Sequence, residues 1–174
     1  MINENFELGG IDLANFDRAI EKTLIHEGGD KFTSDPNDRG GDTKFGISQR
    51  AYPELDIKSL TEKAAKEIYK RDYWDKVKAD QINSQQVAEN IFDTAVNMGV
   101  RTASLMAQEV LDIKPADGII GPQSLEHINV ASVDLFISKY TLLKVSHYVE
   151  ICRKNKSQKK YLLGWMNRTL EGVV

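Results

Sequence analysis

Residues 26–48 read HEGGDKFTSDPNDRGGDTKFGIS, and the rest of the chain is organised around this stretch. Glu27 stands at the end of a helical pattern that breaks on Gly28-Gly29. A polar run with Asp30, Asp35, Asp38 and Asp42 follows, broken again at Gly40-Gly41, before a short apolar return around Phe45 and Ile47. Such a stretch cannot be a core element. It is either a solvated surface loop or a loop that carries function, as loops so specifically punctuated often do.

Immediately upstream, Asn15 can cap a helix with Phe16, Ile20 and Leu24 four apart and Ala19 beside them. Gly28 supplies the left-handed residue that ends it, which puts Glu27 in the last turn. The carbonyls there present partial negative charge and disfavour an ionised carboxylate. In a partly dry site the side chain is then expected to serve as a proton donor. Downstream, Asp30 to Ser48 suits a small β-hairpin with its bend at Gly40-Gly41 and Lys44 to Ser48 as the return strand. A short helix to Tyr52 is expected next, stopped by Pro53.

Beyond it the periodicity is helical. Ser59 and Glu62 have capping-box spacing before the stripe Ala65, Ile68, Tyr69 and Tyr73. Ser84 caps the clearest helix, with Val87, Ala88, Ile91, Phe92, Ala95 and Met98 on one face and Gly99 at its end. Asp93 and Asn97 lie together at the edge of that face, where hydrogen bonds within the helix or to a neighbouring loop are the expected role. Further helices cover Arg101 to Leu111, the segment opening at Pro122, Ser132 to Cys152, and about 157–171 with Leu162, Leu163, Trp165 and Met166. Residues 1–13 read as an irregular lead-in. The fold class is α+β and mostly α, a helical domain with one small hairpin.

Composition excludes several classes. With 174 residues, 41% hydrophobic and 28% charged, the chain is ordinarily globular and of one-domain size. Its single cysteine, Cys152, cannot form an internal disulfide and sits in an apolar pattern as an inert thiol. The N-terminus has neither the cationic start nor the apolar run of a Sec signal, and no stretch is long and apolar enough to span a bilayer. The expectation is synthesis in the cytoplasm and release by other means. Net charge is −3, yet residues 151–170 hold Arg153, Lys154, Lys156, Lys159, Lys160 and Arg168 with no acid. Such a tail is either a solvated helix end or an attractor of anionic polymers. His26, His127 and His147 stand in separate segments, and Asp30 to Asp42 lacks calcium-loop spacing, so no metal and no cofactor are expected. GxSxG is absent, and Gly28-Gly29 ends a helix where a phosphate cradle would start one. What remains is carboxylate chemistry: one Glu in an uncomfortable position with Asp35, Asp38 and Asp42 across a short loop, the equipment of glycosidic bond cleavage.

The ordered run His26-Glu27-Gly28-Gly29, Asp35-Pro36, Asp38, Gly40-Gly41, Thr43 and Phe45-Gly46-Ile47-Ser48 resembles the signature of glycoside hydrolase family 108, with Ser48 where a Thr is usual. Leu60-Thr61, Ile68-Tyr69, Asp72-Tyr73-Trp74-Asp75 and Phe92-Asp93-Ala95-Val96-Asn97-Gly99 continue it. Asp117-Gly118, Ile120-Gly121-Pro122, Gly164-Trp165 and Arg168 resemble the peptidoglycan-binding region usually fused to that family. The resemblance implies a lysozyme-like fold, with a catalytic region over 13–100 and a helical binding region over 101–174 packed into one unit. It implies an N-acetylmuramidase of phage or prophage type, related to proteins labelled secretion activators, that cleaves the β-1,4 bond between N-acetylmuramic acid and N-acetylglucosamine.

By the same resemblance Glu27 is the catalytic acid, with Asp38 and Thr43 stabilising charge or holding water and Asp35 competing for that role. Asp35, Gly46, Tyr73, Trp74 and Asn97 are the implied substrate-binding residues. The implied partner is peptidoglycan rather than nucleic acid, with a holin or secretion apparatus for release and the protein acting on the cell wall as a monomer. Two alternatives stand beside it. One is a lytic transglycosylase using the same Glu; the other is a non-catalytic wall-binding or secretion-associated module.

Overall fold

In the computed structural model, which describes residues 13–34 and 41–173, helices form over most of the segments where they are expected. The lead-in before Leu13, together with Asp35, Pro36, Asp38 and Gly40, lies outside the described residues. Helix α1 (Phe16–His26) is capped by Asn15, whose side chain accepts the Arg18 amide at 3.2 Å. Helix α2 (Glu62–Tyr69) continues into a π-helical turn, Lys70–Trp74. Then come α3 (Gln85–Met98), α4 (Val100–Val110), α5 (Pro122–Val130), the long α6 (Val133–Lys154), a 3-10 segment (Lys156–Tyr161) and α7 (Leu162–Glu171). Ser84 and Ser132 cap α3 and α6, and Gly99, at φ +92°, ends α3.

Three local expectations are corrected. The hairpin is far tighter than expected: β1 (Thr43–Lys44) pairs antiparallel with β2 (Ile47–Ser48), Thr43 opposite Ser48. Its bend is Phe45-Gly46, both left-handed (φ +53° and +73°), so Lys44 to Ser48 is itself the turn and not a return strand. Local preference argues against a left-handed Phe. Burial of the Phe45 ring in the core overrides it. Thr33 adds one antiparallel bridge to Thr43. Second, no helix leads to Tyr52; Ser48 instead closes a turn, its carbonyl accepting from the Ala51 and Tyr52 amides. Third, the cap of α2 is Thr61, which accepts the Ala64 amide at 3.2 Å, while the Ser59 hydroxyl donates back to the Asp56 carbonyl.

The buried apolar residues form one cluster that runs from α1, α2, α3 and the hairpin through to α4, α5 and α6. Trp74 is fully buried and meets Phe92 and Phe16 edge-on, with ring centroids 5.4 and 5.6 Å apart. The π-helical turn explains its direction. With the amide of Asp75 bonded to the carbonyl of Lys70, five residues earlier, Tyr69 and Trp74 both face inward although ordinary helical spacing favours Tyr73. Within the core, Tyr140 on α6 donates to the Ala103 carbonyl of α4, and towards the C-terminus Tyr148 on α6 stacks on Trp165 of α7 at 4.8 Å. That stack lays α7 against α6. The Asn90 amide of α3 donates to the Gly172 carbonyl at 2.8 Å and fixes the far end of α7. Leu163, expected among the apolar residues of the last helix, points to solvent.

Replacing Trp74 by Ala removes the largest fully buried side chain, and a loss of about 3–5 kcal/mol of folding stability is expected. Urea denaturation of the two proteins checks this; a loss below about 1 kcal/mol would mean that Trp74 is not the packing centre.

Candidate functional site

Glu27 is the C-cap of α1 and is held there by backbone bonds on both sides. Its amide donates to the Thr23 carbonyl, and the Gly29 amide donates to Leu24, closing the helix through left-handed Gly28 and Gly29. The Gly29 carbonyl then accepts the Phe45 amide at 3.2 Å, and the Phe45 carbonyl accepts the Tyr69 hydroxyl at 2.8 Å. The hairpin turn is therefore clamped over the helix end. At Gly46 a Cβ would stand 2.7 Å from Glu27 Cβ, 2.9 Å from Glu27 Oε2 and 2.7 Å from the Tyr69 oxygen. Only a residue without a side chain fits above this carboxyl.

On its other side Glu27 faces a cation. Arg168 of α7 donates from Nη1 to Glu27 Oε1 at 2.9 Å and from Nε to Asp93 Oδ1 at 2.8 Å. Asp93 Oδ2 in turn accepts from Lys144 of α6 at 3.3 Å. The side chains of Glu27, Asp93 and Arg168 are 23%, 21% and 13% exposed, and that of Lys144 only 2%. This is a partly dry row of alternating charge contributed by four helices. Burial opposes the charge on Arg168, but Asp93 and Glu27 outweigh it and hold the guanidinium above its ordinary range. Burial of Lys144 wins over Asp93 and lowers its pKa. Tyr69 and Tyr73 are both raised, chiefly by burial and with contributions from Glu27, so they stay protonated donors beside the carboxyl. A guanidinium, absent from the local sequence around Glu27, thus offsets the negative end of α1.

Thr43 lies in β1, its hydroxyl 3.4 Å from the Gly41 carbonyl, and Gly46 is the exposed turn residue against Glu27. Tyr73 is half-buried beside Tyr69, with ring centroids 5.7 Å apart. Trp74 cannot contact a sugar, because the π-helical turn buries it in the core. Asn97 is exposed and accepts from the Tyr148 hydroxyl at 3.1 Å, and burial pushes that hydroxyl up to about 12. Asp93 and Asn97 therefore bond to α6 and α7, contrary to the expected bonds within α3 or to a neighbouring loop. Asp35 and Asp38 lie outside the described residues.

Arg168 also leaves the cationic tail to which its sequence neighbours assign it; it points inward. No local signal marks this, since 141 positions separate it from Glu27. A cavity of about 530 Å³ opens beside Arg168 and Asp93, between α1, α3 and α7, with Lys22, His26 and Glu89 on its walls. Glu27 and the hairpin are not part of that wall.

Residues 20–99 match the family model described as Glycosyl hydrolase 108, and residues 101–170 match one described as Predicted Peptidoglycan domain. Among solved structures, SagA of Brucella abortus is 25% identical, with a TM-score of 0.69 over 91% of this chain and 95% of that one. No curated protein matches the chain significantly.

Gly46→Ala is expected to lower stability by about 1–2 kcal/mol through its left-handed backbone. Displacement of the Glu27 carboxyl is expected to lower peptidoglycan cleavage by roughly 10²-fold. Thermal melts and turbidity clearing separate the two effects; full activity would show that the Glu27–Gly46 contact is not needed.

Proposed function

We propose that this member of the glycosyl hydrolase 108 family, a cell-wall glycoside hydrolase with a peptidoglycan domain, is an N-acetylmuramidase with Glu27 as general acid. The observation that supports this most is the setting of Glu27. It is the carboxyl held at a helix end, half-buried, with a side-chain-free turn above it and a cation behind it.

In this reading Glu27 gives its proton to the glycosidic oxygen as the bond to the anomeric carbon of N-acetylmuramic acid breaks. Positive charge develops on the sugar ring, and water completes hydrolysis. Tyr69 is committed to the Phe45 carbonyl, so Tyr73 is the hydroxyl left to meet a sugar near Glu27. Asp38 and Thr43 remain the proposed partners for the charge or the water. Thr43 sits in the strand that leads into the turn over Glu27.

Glu27→Gln keeps the shape but cannot donate a proton, and cleavage of purified peptidoglycan is expected to fall by roughly 10²–10⁴-fold. Counting new reducing ends checks both chemistry and class. A variant that cleaves at the wild-type rate removes Glu27 from the reaction. Anhydro-muramic ends in place of reducing ends would make the protein a lytic transglycosylase. Wall binding without cleavage by the wild type would make it a binding module.

A further inference from the structure

We propose that Arg168, from the region that matches the peptidoglycan domain, is a positioning residue of the catalytic centre. By donating to Glu27 Oε1 it assigns the transferable proton to Oε2, while Asp93 and Lys144 hold Arg168 in place. The proposal rests on the reading of Glu27 as the acid.

The geometry carries it in three steps. A carboxyl oxygen that accepts an N–H from a guanidinium cannot also carry the acid proton on that side, because two hydrogens would meet. Oε1 accepts from Arg168 Nη1 at 2.9 Å, so the proton belongs on Oε2. Oε2 is the oxygen on the hairpin side, 2.9 Å from where a Cβ would stand at Gly46. Arg168 thus aims the proton at the hairpin side. As the proton departs, negative charge grows on Glu27, and the guanidinium already in contact stabilises it without rearrangement.

Asp93 has a separate task. Arg168 splits its donors between two carboxylates instead of presenting a two-pronged fork to one, and Nη2 is left buried without a partner among the described residues. A guanidinium placed only for stability would use that nitrogen. Sharing with Asp93 divides the guanidinium between two carboxylates, so Glu27 meets only one of its N–H groups. Lys144 anchors the other Asp93 oxygen from a fully buried position. Among the described residues, Tyr69 and Tyr73 from α2 and its π-helical turn and Gly46 from the hairpin also face Glu27, and none of them is charged. The adjacent His26 is turned to Glu171 of α7 at 3.0 Å.

The test compares pH–rate profiles of reducing-end release from peptidoglycan for the full-length wild type, Arg168→Gln, Arg168→Lys and Asp93→Asn. Activity that depends on a protonated acid is lost on the alkaline limb. Removing the cation in Arg168→Gln should move that limb to higher pH by about one unit. It should also lower kcat by roughly tenfold or more, with KM within about twofold. Asp93→Asn leaves Arg168 wholly to Glu27 and should move the limb the opposite way. Arg168→Lys, a cation without the bridging geometry, should fall between wild type and Arg168→Gln.

A merely structural role lowers activity without opposite limb shifts, so limbs that stay in place or move together overturn the proposal. If Arg168→Gln does not fold, Arg168→Lys and Asp93→Asn still supply the comparison. An active wild type with a dead Glu27→Gln and unmoved limbs removes only the role of Arg168. A wild type that releases no reducing ends, or an active Glu27→Gln, removes the acid and this proposal together.

Discussion

The ion pair between Glu27 and Arg168 is the contact on which the rest of the structure depends. A carboxyl at the C-terminal end of a helix faces the partial negative charge of the last carbonyls, and a partly buried one loses much of its hydration as well. Some group must offset both. Arg168 does so at 2.9 Å, and its own burial demands a second anion, which Asp93 supplies. Asp93 is in turn held by Lys144 on α6. Four helices meet because each buried charge requires the next. The apolar contacts of Trp74, Phe16 and Phe92 beneath hold α1 against α3.

A second constraint acts from above. The turn at Phe45-Gly46 hangs from Gly29 and Tyr69 by two hydrogen bonds to Phe45, one at its amide and one at its carbonyl. Both backbone groups of a left-handed residue are thereby satisfied, and its ring is buried. The strain of the conformation is met by packing and hydrogen bonding, so the carboxyl beneath keeps a fixed ceiling. The site is then a carboxyl between a rigid turn and a rigid guanidinium.

Much of this was legible in the sequence where the signal is local. Asn15, Ser84 and Ser132 cap helices because a short polar side chain reaches an amide three residues on, and Gly28 and Gly99 end them because they accept positive φ. The position of Glu27 followed from those two rules alone. The cap of α2 and the turn before Tyr52 differ only by local hydrogen bonds, whereas the larger failures depend on tertiary packing. Phe45 turns left-handed for the sake of the core. Trp74 is buried by a π-helical turn that spacing does not announce. Arg168 sits among Arg153, Lys154, Lys156, Lys159 and Lys160, and composition makes it one more surface cation. The stack of Tyr148 on Trp165 and the bond from Asn90 to the Gly172 carbonyl show why it faces inward, since together they fix the roll of α7. The mixed result at Asp93 and Asn97 is similar: their shared helix face was evident, but the partners on α6 and α7 were not.

The roll of α7 has an evolutionary consequence. The two family models abut between residues 99 and 101, which suggests parts that recombination could exchange freely. Arg168 and Trp165 make such an exchange selective. An incoming C-terminal segment must bring a guanidinium on the same turn of its last helix and an aromatic ring three residues before it. Without them it leaves Glu27 facing a helix end with no counter-charge.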